Sequence, residues 1–386
     1  MVLKCIVNSN GETWKQQRRF AVITLRKLGL GKKSMERQIE EEANQLVETF
    51  VHAKGQPLDP ASYIRNSVTN VISAVTFGHL FSVEDKEFLQ IVEAVQIILK
   101  FSASIVYVLY ELFPRLMNHL PGPHKKAFSC LAVMNSFAKK EIEKHKENQA
   151  WHDPQDFIDF YLHQMEKSKK DPASTYNEEN LVQCIIDLFI AGSDTTANTL
   201  HWALLFMANH PDIQEKVHKE IKDVLGSVQS LSYQDKKKLP YTNAVIQEVQ
   251  RAQYILLFGV SRQCAKDVNM FHFLIPKGTF VIPDIYSVLH DPIHWETPEA
   301  FNPNHFLDKD GLFVENEAFL PFGAGARICP GEQLARIELF IFFTSLMRAF
   351  KFQLPDGVKE LSEEPIFGFT TPPHPYKLCA VPRCNT

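Results

Sequence analysis

Several function classes are removed by what the 386-residue chain lacks. No C-x-x-C pair occurs among the seven cysteines (5, 130, 184, 264, 329, 379 and 384), which are odd in number and widely scattered. That argues against a disulfide framework or a structural zinc site, and for a reducing compartment. There is no P-loop, no G-x-G-x-x-G after a strand, no H-E-x-x-H and no G-x-S-x-G. Phosphoryl transfer, nicotinamide binding within this chain and serine hydrolysis therefore lose their main support. The histidines are scattered, so a His-rich metal centre is not expected. Charge of one sign is missing too: the formal net charge is −4, and no basic field points to nucleic acid. The uncharged run 101–110 is too short to span a bilayer, and the residues before Gly11 read as neither signal peptide nor anchor. The expectation is a chain that does not cross a membrane. No period of roughly 20–50 residues is visible, which excludes a solenoid.

What is present is apolar bulk. Hydrophobic residues make up 45% of the chain, charged residues 22%, and phenylalanine fills 29 positions, which favours a large interior over a charged binding face. Length alone allows about two or three domains. The pattern reads instead as one domain over 1–386, mainly α with a small antiparallel β portion. Helical periodicity predicts helices at 12–27, 34–53 (capped by Ser34), 60–77 (stopped by Gly78), 84–100, 124–147, 177–209, 211–225 and 240–254, and a last one from Gly331. The stretch 113–123, with three prolines, reads as an apolar surface loop, and 167–173 as a solvated linker. A hairpin is expected from strands 269–275 and 279–282 around Pro276-Lys277-Gly278, then irregular coil over 296–319.

Four stretches carry chemistry. The first is Phe322-Gly-Ala-Gly-Ala-Arg-Ile-Cys-Pro-Gly331, which runs into the last helix. Pro330 suits a first helical position, which puts Cys329 near the N-cap and biases its thiol toward the metal-binding thiolate. Gly323 and Gly325 let backbone approach something flat. Taken alone, the loop reads better as a buried cysteine beside a glycine turn. The second stretch is Ala191-Gly-Ser-Asp-Thr-Thr196 in mid-helix, where Gly192 and back-bonding hydroxyls favour a bend and a groove beside Asp194 and Thr195. Its plainer reading is a kink with a solvent-facing acid. The third is Glu248 and Arg251, three apart on an apolar helix face and able to pair. The fourth is Trp14 and Arg18, four apart on the first helix, which with Arg262 and Arg327 offer donors suited to carboxylates.

In this order the four stretches resemble a cytochrome P450, a haem-thiolate monooxygenase, of the microsomal family-two type. The cysteine loop fits F-x-x-G-x-R-x-C-x-G, and the likeness runs from about Lys4 to the C-terminus. The resemblance implies the fold of that family and haem b (iron protoporphyrin IX) as cofactor. It implies Cys329 as the iron ligand, with Phe322 and Gly325 shaping its loop. Trp14, Arg18, Arg262 and Arg327 would hold the propionates. Asp194 and Thr195 would deliver protons during dioxygen activation, with room left by Ala191 and Gly192. Glu248 and Arg251 would be a buried structural pair, with His305 in place of the family's usual arginine. It further implies O2 and a lipophilic substrate: a fatty acid such as arachidonate, a steroid or a xenobiotic. The partners would be NADPH-cytochrome P450 reductase, docking near Lys15, Arg19 and Arg348, and cytochrome b5 as an optional second one. The place would be the cytoplasmic face of the endoplasmic reticulum membrane, with peripheral contact through 113–123. The family's N-terminal anchor, hinge and early helices have no counterpart here, so a fragment or shortened isoform is expected. Two other readings remain: a haem-thiolate peroxide isomerase that needs no reductase, and a non-catalytic truncated form.

Overall fold

The computed structural model describes residues 6–28, 33–82, 84–149, 152–226 and 230–383. Cys5, Cys384 and the side chain of Ser34, the expected helix cap, lie outside the described residues. Helices α1 (Gly11–Lys27), α2 (Lys33–His52), α3 (Ala61–Phe77) and α4 (Lys86–Ser102) lie within two residues of the positions that periodicity predicts. Their ends are chemically marked. Gly78 closes α3 at φ 73°, and the Asp85 carboxylate accepts the Glu87 and Phe88 amides at the start of α4. Two short helices follow: α5 (Ile105–Leu112), which periodicity did not single out, and α6 (Pro114–Met117), which occupies ground expected to be a loop. They expose Ile105, Leu112, Phe113 and Leu116 at 56–70%, so the expected apolar surface is there although its backbone is helical. No single described helix is long and apolar enough to cross a membrane.

Helix α7 (Pro123–Asn148) is followed by α8 (Phe157–Ser168), which periodicity did not single out. The centre is α9 (Glu178–Asn209), 32 residues with Asn177 as N-cap and His210-Pro211 at its end. Most of it is buried, with α3 along one side and α7 and α13 against it. Helix continues through Gly192, as the expected single long helix requires. Ser193, Thr195 and Thr199 donate their hydroxyls to carbonyls one turn back at 2.6–2.9 Å, so the polar groups are satisfied within the helix. Gly192 has a packing reason instead: a Cβ there would meet Ile72 Cγ1 of α3 at 2.8 Å. Then come α10 (Pro211–Leu225), α11 (Pro240–Ala252), α12 (Ile285–Leu289) and α13 (Glu332–Ala349).

The strands form three antiparallel sheets. In the first, β7 (Leu378–Pro382) lies between β1 (Pro57–Leu58) and β6 (Phe350–Gln353). β2 (Arg262–Gln263) pairs with β5 (Phe280–Val281), and β3 (Val268–Met270) with β4 (Phe273–Ile275). The expected hairpin is therefore corrected. Its turn is Phe271-His272, both at positive φ (47° and 72°), and the strand after Gly278 pairs back to Arg262. Neither residue carries the glycine or asparagine signal that such a two-residue turn normally shows.

Candidate active site

The cysteine loop is closed by the Cys329 amide donating to Phe322 O at 3.0 Å. Gly323 and Gly325 sit at φ +73° and +74°, where L side chains are strained, and a Cβ at either would meet no atom within 4 Å. Conformation, rather than a close protein neighbour, explains both. Helix α13 begins at Glu332 with Gly331 as N-cap, so Pro330 is not its first residue and Cys329 stands two residues before the cap. The amides of Gly331 and Glu332 still donate to the sulfur. The expected bias toward thiolate is corrected as well: burial outweighs these amides and Arg18, and the thiol pKa is pushed up. Coordination to a metal would override that balance. Cys329 is reached by solvent although protein surrounds it closely enough for burial to dominate its titration.

Three guanidiniums gather near this thiol from three elements. Arg18 of α1 donates to Ile328 O, next to the cysteine. Arg262 of β2 donates to Arg327 O at 3.4 Å. Arg327 reaches Ser9 O at 2.8 Å and lies over the Trp14 ring at 3.9 Å. Their mutual repulsion is visible in their acidities. Arg327 is lowered to about 10 by burial first, then by Arg262 and Arg18. Arg18 is lowered by burial, with Arg262 adding and Cys329 opposing. Among the described residues no carboxylate forms an ion pair with any of the three, and Trp14 Nε1 is buried without a partner. An uncompensated trio of cations with an orphaned indole N–H is a donor set in want of carboxylates. The residues present therefore fit a planar group with two propionates and a metal facing Cys329. Phe322 is half-buried, its ring 4.9 Å beneath the Arg336 guanidinium.

On α9 the predicted residues separate. Ala191 is exposed in the middle of an otherwise buried helix, and Thr195, one turn on, is half-buried with its hydroxyl on Ala191 O at 2.7 Å. Asp194 points into the core, 1% exposed. Its carboxylate accepts from Gln96 Nε2 at 2.6 Å, Thr370 Oγ1 at 2.7 Å and Asn198 Nδ2 at 2.8 Å. Sequence reasoning did not find these donors: Gln96 and Thr370 come from α4 and the C-terminal coil, distant in the chain, and Asn198, one turn on along α9, was not singled out.

Glu248 and Arg251 of α11 are both fully buried and bidentate, with Nε and Nη2 each 2.8 Å from a carboxylate oxygen. Arg251 also donates to the carbonyls of Leu289, Pro298 and Ala300 at 2.7–3.1 Å. The Asn302 amide and His305 Nδ1 complete the Glu248 carboxylate. Thr297 N–H donates to His305 Nε2 at 3.2 Å, which leaves Nδ1–H to donate to Glu248. His305 thus sits where the resemblance placed it. The carbonyl acceptors were not legible, since any residue type supplies one.

The Cytochrome P450 family model matches residues 4–380. Cytochrome P450 2J2 of Homo sapiens is 45% identical over 378 residues, covering 98% of this chain and 75% of the relative. Cytochrome P450 2J1 of Oryctolagus cuniculus is 44% identical with the same coverage, and cytochrome P450 2A3 of Rattus norvegicus is 42% identical over 97% of this chain and 76% of the relative. The chain belongs to the cytochrome P450 family. Its class is haem-dependent monooxygenase: the family binds haem through a cysteine thiolate and draws on a redox partner to insert oxygen from O2 into lipophilic substrates.

Proposed function

We propose that Cys329 ligates the haem iron and that Trp14, Arg18, Arg262 and Arg327 hold the propionates. The observation that carries this reading is the convergence of three guanidiniums, without a carboxylate partner, beside a solvent-reached thiol. Haem, when bound, supplies the redox iron on which dioxygen is activated. The rest falls to the chain. The amides of Gly331 and Glu332 temper the charge on the sulfur. Ala191 keeps an exposed side of α9 free of bulk, and the Thr195 hydroxyl holds a proton one turn on. Asp194 joins proton delivery only by exchanging Gln96, Asn198 or Thr370 for another partner. Phe322 and Gly325 shape the loop, and the Glu248–Arg251–His305 network fixes the coil over 289–305.

The substrate assigned is lipophilic, in the range of fatty acids such as arachidonate, steroids and xenobiotics. Apolar side chains beside α9 support it. Thr370 bonds Asp194, its neighbour Phe369 is 41% exposed, and Phe258 next to the paired Leu257 is 56% exposed. Electrons would come from NADPH-cytochrome P450 reductase, with cytochrome b5 as a second donor, on the face carrying exposed Lys15 and Arg19. The apolar α5–α6 surface supports peripheral contact with the cytoplasmic side of the endoplasmic reticulum membrane.

The test is the reduced, carbon-monoxide-bound absorption spectrum of the expressed chain. A long-wavelength thiolate Soret band that disappears in Cys329→Ala is the expected result. Its absence from the intact chain would favour the non-catalytic form. One observation favours the peroxide isomerase: Asp194 is held in the core by three donors. Turnover of a lipid hydroperoxide without NADPH and reductase, and none with them, would establish that alternative.

A further inference from the structure

Away from the cysteine loop, three buried side chains of metal-ligating type meet where α7 ends and α8 begins. His145 lies in the last turn of α7, Asp156 is the N-cap of α8 and Asp159 stands in its first turn. They are 9%, 4% and 1% exposed, and one ligand atom from each lies within 4.8 Å of the other two. Asp156 Oδ1 caps the helix, accepting the Asp159 amide at 2.9 Å, while its Oδ2 faces His145 Nε2 at 2.9 Å. Asp159 Oδ2 accepts the Gln155 amide at 3.2 Å, but Oδ1 is buried with no hydrogen-bond partner among the described residues. An unpaired buried acceptor costs about 1–3 kcal/mol, and more when it carries charge, so this oxygen points to an occupant.

The imidazole is already set for ligation. Glu141 O lies 2.7 Å from His145 Nδ1 and can only accept, so Nδ1 keeps its proton and Nε2 is the nitrogen turned to the aspartates. A neutral ring would then aim its Nε2 lone pair at Asp156 Oδ2, so a proton or a metal ion has to lie between them. A single proton leaves the second carboxylate uncompensated, and burial, then the Asp156 charge, raise the Asp159 pKa. The neighbouring charges are matched elsewhere: the Glu141 carboxylate pairs with His79 Nε2 at 3.0 Å and Lys144 Nζ at 2.6 Å. A doubly charged cation would balance both aspartates. One imidazole nitrogen and two carboxylate oxygens make a three-residue set of the kind that binds zinc with water in the fourth position. Gly78, which closes α3, leaves room for it, since a Cβ there would stand 2.6 Å from Asp156 Oδ2.

We propose that His145, Asp156 and Asp159 form a binding site for one divalent transition-metal ion of the zinc type, which ties the end of α7 to the start of α8.

The probe is zinc, offered in stoichiometric amount to the haem-loaded full chain after treatment with a chelator. Equilibrium dialysis with elemental analysis is expected to show about one zinc ion retained per haem. Asp159→Asn keeps the shape and an acceptor for the Gln155 amide, and its zinc affinity is expected to fall about 100-fold or more. The unsubstituted chain also reports by itself. Its zinc-edge X-ray absorption should show one imidazole and oxygen neighbours at about 2.0–2.2 Å, with no sulfur at about 2.3 Å. The imidazole signature should vanish in His145→Gln. If the unsubstituted chain retains no zinc, Asp159 Oδ1 meets water only and the proposal falls. Equal retention in Asp159→Asn, or sulfur among the neighbours, marks an adventitious ion only and overturns it as well.

Discussion

Arg327 is the side chain at which the proposed propionate site can be tested most directly. Its guanidinium stacks on Trp14, donates to Ser9 O and is repelled by Arg262 and Arg18. Removing a hydrogen bond to a charged group costs about 1.5–3 kcal/mol, roughly ten- to hundredfold in an equilibrium. Arg327→Met is therefore expected to speed haem loss to apomyoglobin by about that factor. Trp14→Phe, which deletes the orphaned N–H and leaves a smaller ring under Arg327, should give a smaller change of the same sign. Cooperative thermal unfolding of the haem-free chain should move little in Trp14→Phe, since Nε1 has no protein partner to lose. Equal haem-loss rates for both variants and the parent would remove these residues from the propionate site. At this scale a motif that sets several residue types together makes Cys329 and Arg327 legible as candidates. Asp194 was read less well. Nothing in the hexapeptide announces that Gln96 and Thr370, distant in the chain, will turn the acid inward.

Among the elements, helices were legible because they carry their own period and their own ends. Asn177 and Pro211 mark the limits of α9 in the sequence, and Gly78 marks the end of α3. The β pairing was not legible. A turn made by Phe271 and His272 at positive φ contradicts their local preferences, and only tertiary context holds it. The partner of β5 comes from across the Pro276–Gly278 turn to Arg262, a register no periodicity encodes. Helix α5 was missed because its sequence is apolar almost throughout, Glu111 excepted, so no polar face sets off a helical period. Gly192 was noticed, but its cause lay in the partner helix. That cause can be tested. An alanine in mid-helix gains up to about 1 kcal/mol over glycine. A Cβ placed 2.8 Å from buried Ile72 should cost about 1–3 kcal/mol in overpacking. Gly192→Ala is expected to lower the unfolding midpoint of the parent, yet to be neutral or stabilising in an Ile72→Ala background. Additive effects in this double-mutant cycle would show that α3 and α9 are not in contact at this point.

For the molecule as a whole, the buried ionisable groups combine into one pH trend. Glu338 of α13 is fully enclosed, and burial raises it to about 8, although the Thr196 hydroxyl bonds it and pulls the other way. Burial likewise raises Glu42 to about 7. His145 is raised to about 9 because its pairing with Asp156 at 2.9 Å, with Glu141 O on the other ring nitrogen, outweighs the effect of burial. In all three the folded state holds its proton more tightly than the unfolded chain. Their stabilising contribution is therefore complete below the unfolded pKa and is lost as pH rises through the folded one. The windows are 4.5 to about 8 for Glu338, 4.5 to about 7 for Glu42 and 6.5 to about 9 for His145. Three groups with large shifts work in the opposite sense, and one of them, Arg327, lowered to about 10, acts only above that value. His201, pushed down to about 3 by burial, acts only below 6.5, and Lys236, lowered to about 8, acts only above that value. Between pH 6.5 and 8 the first set is unopposed by these three, and the thermal midpoint at fixed scan rate is expected to fall across that interval. Glu338→Gln keeps the shape and removes the ionisation, so its midpoint should fall less steeply and exceed that of the parent at pH 8. A parent midpoint that stays level or rises from pH 6.5 to 8 would mean that Glu338 is not held protonated by the closed core between α9 and α13.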